Sequence, residues 1–465
     1  SQVNAYGYSL QGATHTGRRH AIVFGGEFYD EYIASARTTL DPMSGLATMS
    51  RPLYPDGSRY RTAAVFVQNH FEIGRRLRAT AGGRGTRVRY ATKQDSFGTA
   101  ASERGFGDWT FNASLAGQLT GALSVHGLVG RGFRAPNAND LGAVGLNDLG
   151  YEIPAADAVP AGALLGSGSG EGAASLGRAV ADLGPERLVN CELGLRWRQR
   201  RVQARAQVFD SELYDPIVRR TLLFPRQSAP TTLAGLPVTA LAPTAAQQSQ
   251  GVVAVATALD PRAVKAFVND GRSRYYGAEA SLRLPIDSHW SVEANCSFLA
   301  GRDLDPNRNV RRLPPQQGAV ALRYARTRFW LQASALAAGA QRRLSGGDLD
   351  DERIGASRSR NDIAAIFQAA RLAPYIRQGV FAPTGETLRQ IQDRLLPAIA
   401  GAARVPLYAS TAGWLTCHLA GGIPLTDRMS LNGGIFNVLD RNYRIHGSGV
   451  DAPGIAAFLG LRLRF

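Results

Sequence analysis

The side chains with chemical potential are few, and their spacing does not converge. His15 and His20 flank a short stretch, a spacing that suggests a pair of metal ligands. Beside Arg18 and Arg19, a solvent-exposed turn is the stronger reading. Cys191, Cys296 and Cys417 are odd in number and far apart, with no Cys-x-x-Cys pair and no His/Cys cluster, so neither a disulfide framework nor a metal centre is indicated. The chain has no Gly-x-Ser-x-Gly elbow, no phosphate-binding Gly-rich loop and no His-Glu-x-x-His. It therefore reads as a protein without covalent catalysis and without a bound cofactor. His446, in Tyr443-Arg444-Ile445-His446-Gly447-Ser448-Gly449, is a candidate ligand contact, while a structural turn whose glycines supply positive φ is the stronger reading of the segment.

Charge is the other chemical resource. The net charge is +16, and Lys93 and Lys265 are the only lysines, so the excess is arginine. An isoelectric point near 10.3 raises the question of nucleic acid. The arginines are spread along the whole chain and form no basic arm or recognition helix, so nucleic acid is set aside in favour of a rim facing anionic head groups. Arg196, Arg198, Arg205, Arg462 and Arg464 fall on the polar parity of their segments. They either focus potential on an anionic ligand or pair with Glu192, Glu279 and Glu293, and pairing is the preferred expectation.

The elements that must carry these residues are strands. In the final segment, Ile455, Ala457, Leu459, Leu461, Leu463 and Phe465 alternate with Ala456, Phe458, Gly460, Arg462 and Arg464. One face is apolar, the other carries two arginines, and the terminal aromatic Phe465 suits an interfacial girdle used in membrane assembly. Val189, Cys191, Leu193, Leu195 and Trp197 oppose Asn190, Glu192, Gly194, Arg196 and Arg198 in the same way, and each cysteine sits on the apolar parity as a small hydrophobe. No run approaches the ~18 apolar residues of a transmembrane helix, whereas ~9–11 alternating residues suffice for a tilted strand. Strand patterns run over 4–12, 18–33, 59–73, 75–92, 107–119, 122–133, 187–198, 201–223, 273–284, 288–300, 317–325, 328–342, 408–422, 428–439 and 454–465.

Their connections alternate between short and long over fourteen consecutive links, from 13–17 (short) and 34–58 (long) to 423–427 (short) and 440–453 (long). A meander with turns on one rim and elaborated loops on the other has this signature, and it is that of an outer-membrane barrel. Two long links stand out. Residues 155–177, rich in Ala, Gly and Ser, read as flexible; 361–400 carries Ile363, Ile366 and Phe367, then Leu388, Ile391 and Leu395, at helical spacing, which predicts one or two short helices. The fold expected is an all-β, antiparallel up-and-down transmembrane barrel with short helices in one extracellular loop.

Several stretches resemble the barrel of TonB-dependent outer-membrane receptors. They are Gly132-Phe133-Arg134-Ala135-Pro136-Asn137, Pro185-Glu186 with Asn190, Glu192 and Gly194, Tyr276-Gly277-Ala278-Glu279, Arg312-Leu313-Pro314-Pro315, and Phe436-Asn437-Val438-Leu439-Asp440 through Tyr443. The resemblance implies a barrel of about 22 strands enclosing an N-terminal plug. Residues 1–465 would then be its C-terminal part, about fifteen strands, with the plug and the TonB-contacting segment outside this chain. It further implies a monomer in the outer membrane of a Gram-negative cell, surrounded by outer-membrane lipid, taking up a small-molecule or metal-chelate ligand in an energy-coupled way. Arg134 and Asn137, and Tyr443, Arg444 and His446 on the last long link, are the expected ligand contacts. Phe133–Pro136 matches a box found in haem receptors, but residues 137–184 contain no histidine, which argues against haem. The alternative is a passive porin-like or adhesin-like barrel.

Overall fold

The computed structural model describes residues 1–17, 19–94, 97, 101–147, 150–305, 307–345, 348, 357–395, 404–406 and 410–464. Among these residues, fifteen strands lie side by side in chain order, each antiparallel to the next. They are β1 Gln2–Thr16, β2 His20–Ala34, β3 Ser58–Ile73, β4 Leu77–Thr92, β5 Ser102–Gln118, β6 Leu123–Arg134, β7 Glu186–Gln199 and β8 Val202–Tyr214. The row continues with β9 Arg272–Pro285, β10 Trp290–Leu304, β11 Gln317–Arg326, β12 Phe329–Ala338, β13 Trp414–Thr426, β14 Met429–Phe436 and β15 Ala456–Leu463. A short strand, Asn307–Asn309, folds back on β10 off this path. The expected strand count is met, and Phe465 lies outside the described residues.

The period-two pattern explains why these segments form strands and which way they face. Leu193, Leu195 and Trp197 of β7 stand in register with Val208, Ala206 and Ala204 of β8, while Glu192 and Gly194 stand opposite Phe209 and Gln207 on the other face. Leu193, Leu195 and Val208 remain roughly half exposed. Each such side chain would cost about 1.5–3 kcal/mol in water relative to burial, so a continuous outward band of them calls for hydrocarbon. Cys191 and Cys296 lie exposed in that band and Cys417 half-buried, as expected of small wall residues. No helix among the described residues is long and apolar enough to cross a membrane, which says nothing of crossing by strands. Aromatic clusters mark both edges of the band. Trp290 and Phe329 flank Tyr324 at 4.8 and 5.7 Å at the short-link end, and Trp109 stacks on Phe111 at 5.6 Å towards the other.

Short links, 17–19, 74–76, 119–122, 200–201, 286–289, 327–328 and 427–428, occupy one rim, and all the longer ones the other. The turn at Gly74 needs its glycine, because φ there is +68°. β1 and β15 both run from the long-link rim to the short-link rim, and among the described residues they share no ladder.

The long-link rim departs from expectation. Links 135–185 and 215–271 jointly build a nine-stranded sheet outside the barrel. The segment 201–223 is therefore not one strand. β8 stops at Tyr214, Asp215 takes φ 53°, and after Pro216 the chain enters the outer sheet as Ile217–Pro225. Pro216 has no N–H to give a ladder, which fits a break at that point. Residues 155–177 are not a flexible tether either. They hold helix α2 Ala155–Ala158 and strand Leu164–Gly166, with Ala155, Ala158 and Ala163 buried. Their small side chains pack under Tyr151, Leu222, Phe224, Val255 and Val264, the largest water-excluding core in the described residues.

Among the described residues, helices occur in three links rather than one. α1 Ala138–Gly142 precedes α2 in the same link, α3 Ala245–Ser249 lies in the next long one, and α4 Arg360–Phe367 and α5 Leu388–Leu395 lie in the link 339–413. The last two bury Ile363 against Ile391, as the helical spacing predicted; residues 396–400 of that expectation fall outside the described residues.

Candidate functional site

β2 to β6 curve so that their inner faces, with the start of the link after β6, enclose a concavity of about 890 Å³. Alternation places Glu27, Arg84, Thr86, Thr110 and Asn112 on that inner face. Arg84 donates from Nη2 to Glu27 Oε2 at 2.7 Å and from Nε to Thr86 Oγ1 at 3.2 Å. Glu27 and Arg84 sit on strands separated by β3, so only the three-strand register reveals the pair.

Arg134 and Asn137 stand at the upper wall, and both are used to fasten it. The Arg134 guanidinium donates to Glu186 Oε1 and to Asp140 Oδ2, each at 2.6 Å. Asn137 is the N-cap of α1, its Oδ1 accepting from the amides of Asn139 and Asp140, while Asp140 Oδ2 accepts back from the Asn137 amide at 3.0 Å. Tyr60 donates its hydroxyl to the Pro136 carbonyl, and Glu186 Oε2 accepts from the Ile217 amide. One knot thus joins the end of β6, α1, the start of β7 and the outer sheet.

The second predicted cluster lies on the link between β14 and β15, far along the sheet from the first. Tyr443 packs on Trp414 with ring centroids 4.5 Å apart, and Arg444 pairs with Asp451 at 2.8 Å. His446 Nδ1 lies 2.9 Å from Thr411 Oγ1, and its Nε2 is buried with no hydrogen-bond partner among the described residues. Burial holds this imidazole below its ordinary value of 6.5. The fold at this end is organised by Asn437, at φ 49°, whose Nδ2 donates to the carbonyls of Arg441 and Pro453.

Two expectations about charge resolve differently. His15 and His20 point to opposite faces, because His20 stands opposite Thr16 while His15 stands opposite Ala21, so they make no ligand pair; Arg18 lies outside the described residues. No group of three or more metal-type side chains gathers anywhere among the described residues. The pairing of Arg196, Arg198, Arg205, Arg462 and Arg464 with Glu192, Glu279 and Glu293 is not found among the described residues. Register sets Arg196 opposite Arg205, like against like. Glu293 instead pairs with Arg283 at 3.3 Å, Glu279 accepts from Gln207 and Glu192 from Asn190.

The chain matches the family described as TonB dependent receptor-like, beta-barrel, over residues 1–438. It belongs to that family. The fold is shared with solved structures at low identity. A copper transporter, OprC, superposes with a TM-score of 0.64 at 13% identity, covering 100% of this chain and 56% of the other. The FrpB iron transporter from Neisseria meningitidis gives 0.57 at 10% identity, covering 100% and 55%. The hemophore receptor HasR of Serratia marcescens, solved with its hemophore and heme, gives 0.57 at 12%, covering 100% and 59%. This receptor-barrel chain therefore spans little more than half the length of the structures it matches. No curated protein sequence matches it. Within the family barrel, the inner concavity offers hydroxyl, amide and guanidinium donors and no nucleophile–base pair, an arrangement suited to holding a polar ligand.

Proposed function

We propose that this chain is the C-terminal part of the barrel of an outer-membrane receptor that takes up a scarce nutrient by energy-coupled transport. The observation that carries the reading is the sorting of short turns to one rim and folded loops to the other around fifteen antiparallel strands. Family membership supports it, and the similar structures named for copper, iron and heme uptake fit the same class. With β1 and β15 running the same way, antiparallel closure takes an odd number of further strands, and about seven would give the family's barrel of 22. A plug and a TonB-contacting segment belong to the same proposal.

The ligand is a small molecule or metal chelate, admitted at the long-link rim of a Gram-negative outer membrane. Arg134 and Asn137, with Thr86 and Asn112 below them, are the proposed contacts in the inner concavity. Tyr443, Arg444 and His446 are proposed contacts on the last loop. The test is uptake by cells lacking the complete gene, measured over limiting iron chelates, copper, haem, cobalamin and glycans. Loss of one uptake activity, reproduced by deleting TonB, is expected. Unaltered uptake of all of them, or energy-independent leakage of unrelated solutes through the purified protein, would refute it.

A further inference from the structure

The outward face of β1 to β5 carries a pattern that transport does not use. Successive rows across the strands are read directly from register. Leu10, Gly26, Val65, Gly85 and Trp109 form one row, and Tyr8, Phe28, Ala63, Arg87 and Gly107 the next towards the long-link rim. Beyond it come Tyr6, Asp30, Arg61, Arg89 and Gly105, then Tyr32 and Arg59. The surface is apolar below Arg87 and basic from Arg87 upwards.

The apolar part is hollow. A groove of about 740 Å³ runs over Leu10, Gly26, Phe28, Val65 and Gly85. Glycine makes the floor: a Cβ on Gly85 would meet nothing within 4 Å, so the space is open to an occupant. Glycine weakens a strand interior and often marks the close approach of another molecule. At the upper end of the groove the charges do not balance. Asp30 contacts Arg59 and lies 3.5 Å from Arg61, and Glu103 lies 3.9 Å from Arg89. Arg87, directly above the groove, is exposed and has no ion-pair partner among the described residues. Four guanidinium groups against two carboxylates leave two positive charges in excess. Further along the outward face Arg274 pairs with Asp210 and Arg272 with Glu212, so the charges there balance.

We propose that this strip is a binding site for a phosphate-bearing lipid of the outward-facing leaflet, its acyl chain in the glycine-floored groove and its head group on Arg87, Arg89 and Arg61. The proposal rests on the membrane placement given above. A charged patch without a groove would hold any anion, and a groove without charge would hold any chain. Their stacking along the membrane normal, apolar below and basic above, selects a molecule that is both.

The complete protein, purified from the membrane and placed in phosphatidylcholine nanodiscs, is titrated with diphosphorylated lipid A and the retained lipid counted by native mass spectrometry. The wild type is expected to retain the phosphorylated lipid over phosphatidylcholine. R87Q/R89Q should weaken retention on the order of tenfold. Gly85→Trp, which fills the groove and leaves the arginines, should weaken it as well, while Arg274→Gln should leave it unchanged. Equal retention by wild type and R87Q/R89Q, or displacement by inorganic phosphate alone, would overturn the lipid site and leave the transport reading standing. Recovery of the protein outside the outer-membrane fraction would overturn both.

Discussion

Arg134 earns its place by geometry more than by charge. It bridges Glu186 and the buried Asp140, so Arg134→Ala leaves an acid with 6% side-chain exposure without its cation. With the arginine itself 41% exposed, solvent screening tempers the loss, and a cost of about 1–3 kcal/mol is expected, read as earlier urea unfolding of the purified barrel. Asn137→Ala removes the cap of α1 at about 1 kcal/mol and should speed proteolysis near residue 142 without moving the barrel's own transition. His446 carries a pH signature. Its imidazole is depressed, so the folded loop prefers the neutral ring. The stability it contributes is fully present above 6.5 and is lost as pH falls through the lowered value. Protection factors for hydrogen exchange in the loop 437–455, which remove the intrinsic slowing of exchange by acid, should fall on acidification in the wild type and stay flat in His446→Gln. The residues around Arg134 and Asn437 were legible as motifs in the sequence. Their tasks were not, because an N-cap, a bridging guanidinium and an amide spanning two distant carbonyls exist only once the link has folded.

At the scale of elements, strands and short turns were legible because alternation is local and every barrel strand repeats it. The outer sheet was not. Its strands are short and meet across long separations, as Leu164 meets Leu223, and no period within 155–177 announces that. The alanines and glycines there read as flexible, yet small side chains are what close packing beneath Tyr151 and Phe224 requires. Phe224 is fully buried, so Phe224→Ala should cost the outer sheet about 3–5 kcal/mol. Limited proteolysis should then cut within 135–185 and 215–271 while the barrel keeps its heat-modifiable electrophoretic mobility. Coupled loss of both would mean that the barrel depends on the outer sheet. α4 and α5 were visible in advance since helical periodicity is as local as strand alternation.

For the whole molecule, the alternation of link lengths was the most informative feature of the sequence, and the fold places every short link on one rim. What remained invisible was the balance of charge across strands, since Arg196 opposite Arg205 and Arg84 beside Glu27 depend on register. Uptake requires the long-link rim to face the cell exterior and the short-link rim the periplasm. That orientation is tested most directly in intact cells expressing the complete protein, with Cys191, Cys296 and Cys417 replaced and single cysteines placed at Met43, Gln248 or Val450 on long links, or Gly121, Arg328 or Asp427 on short ones. A membrane-impermeant maleimide should label the first three in intact cells and the second three only after lysis. Labelling of both sets alike, or of the short-link set alone, would contradict the orientation and the uptake function built on it.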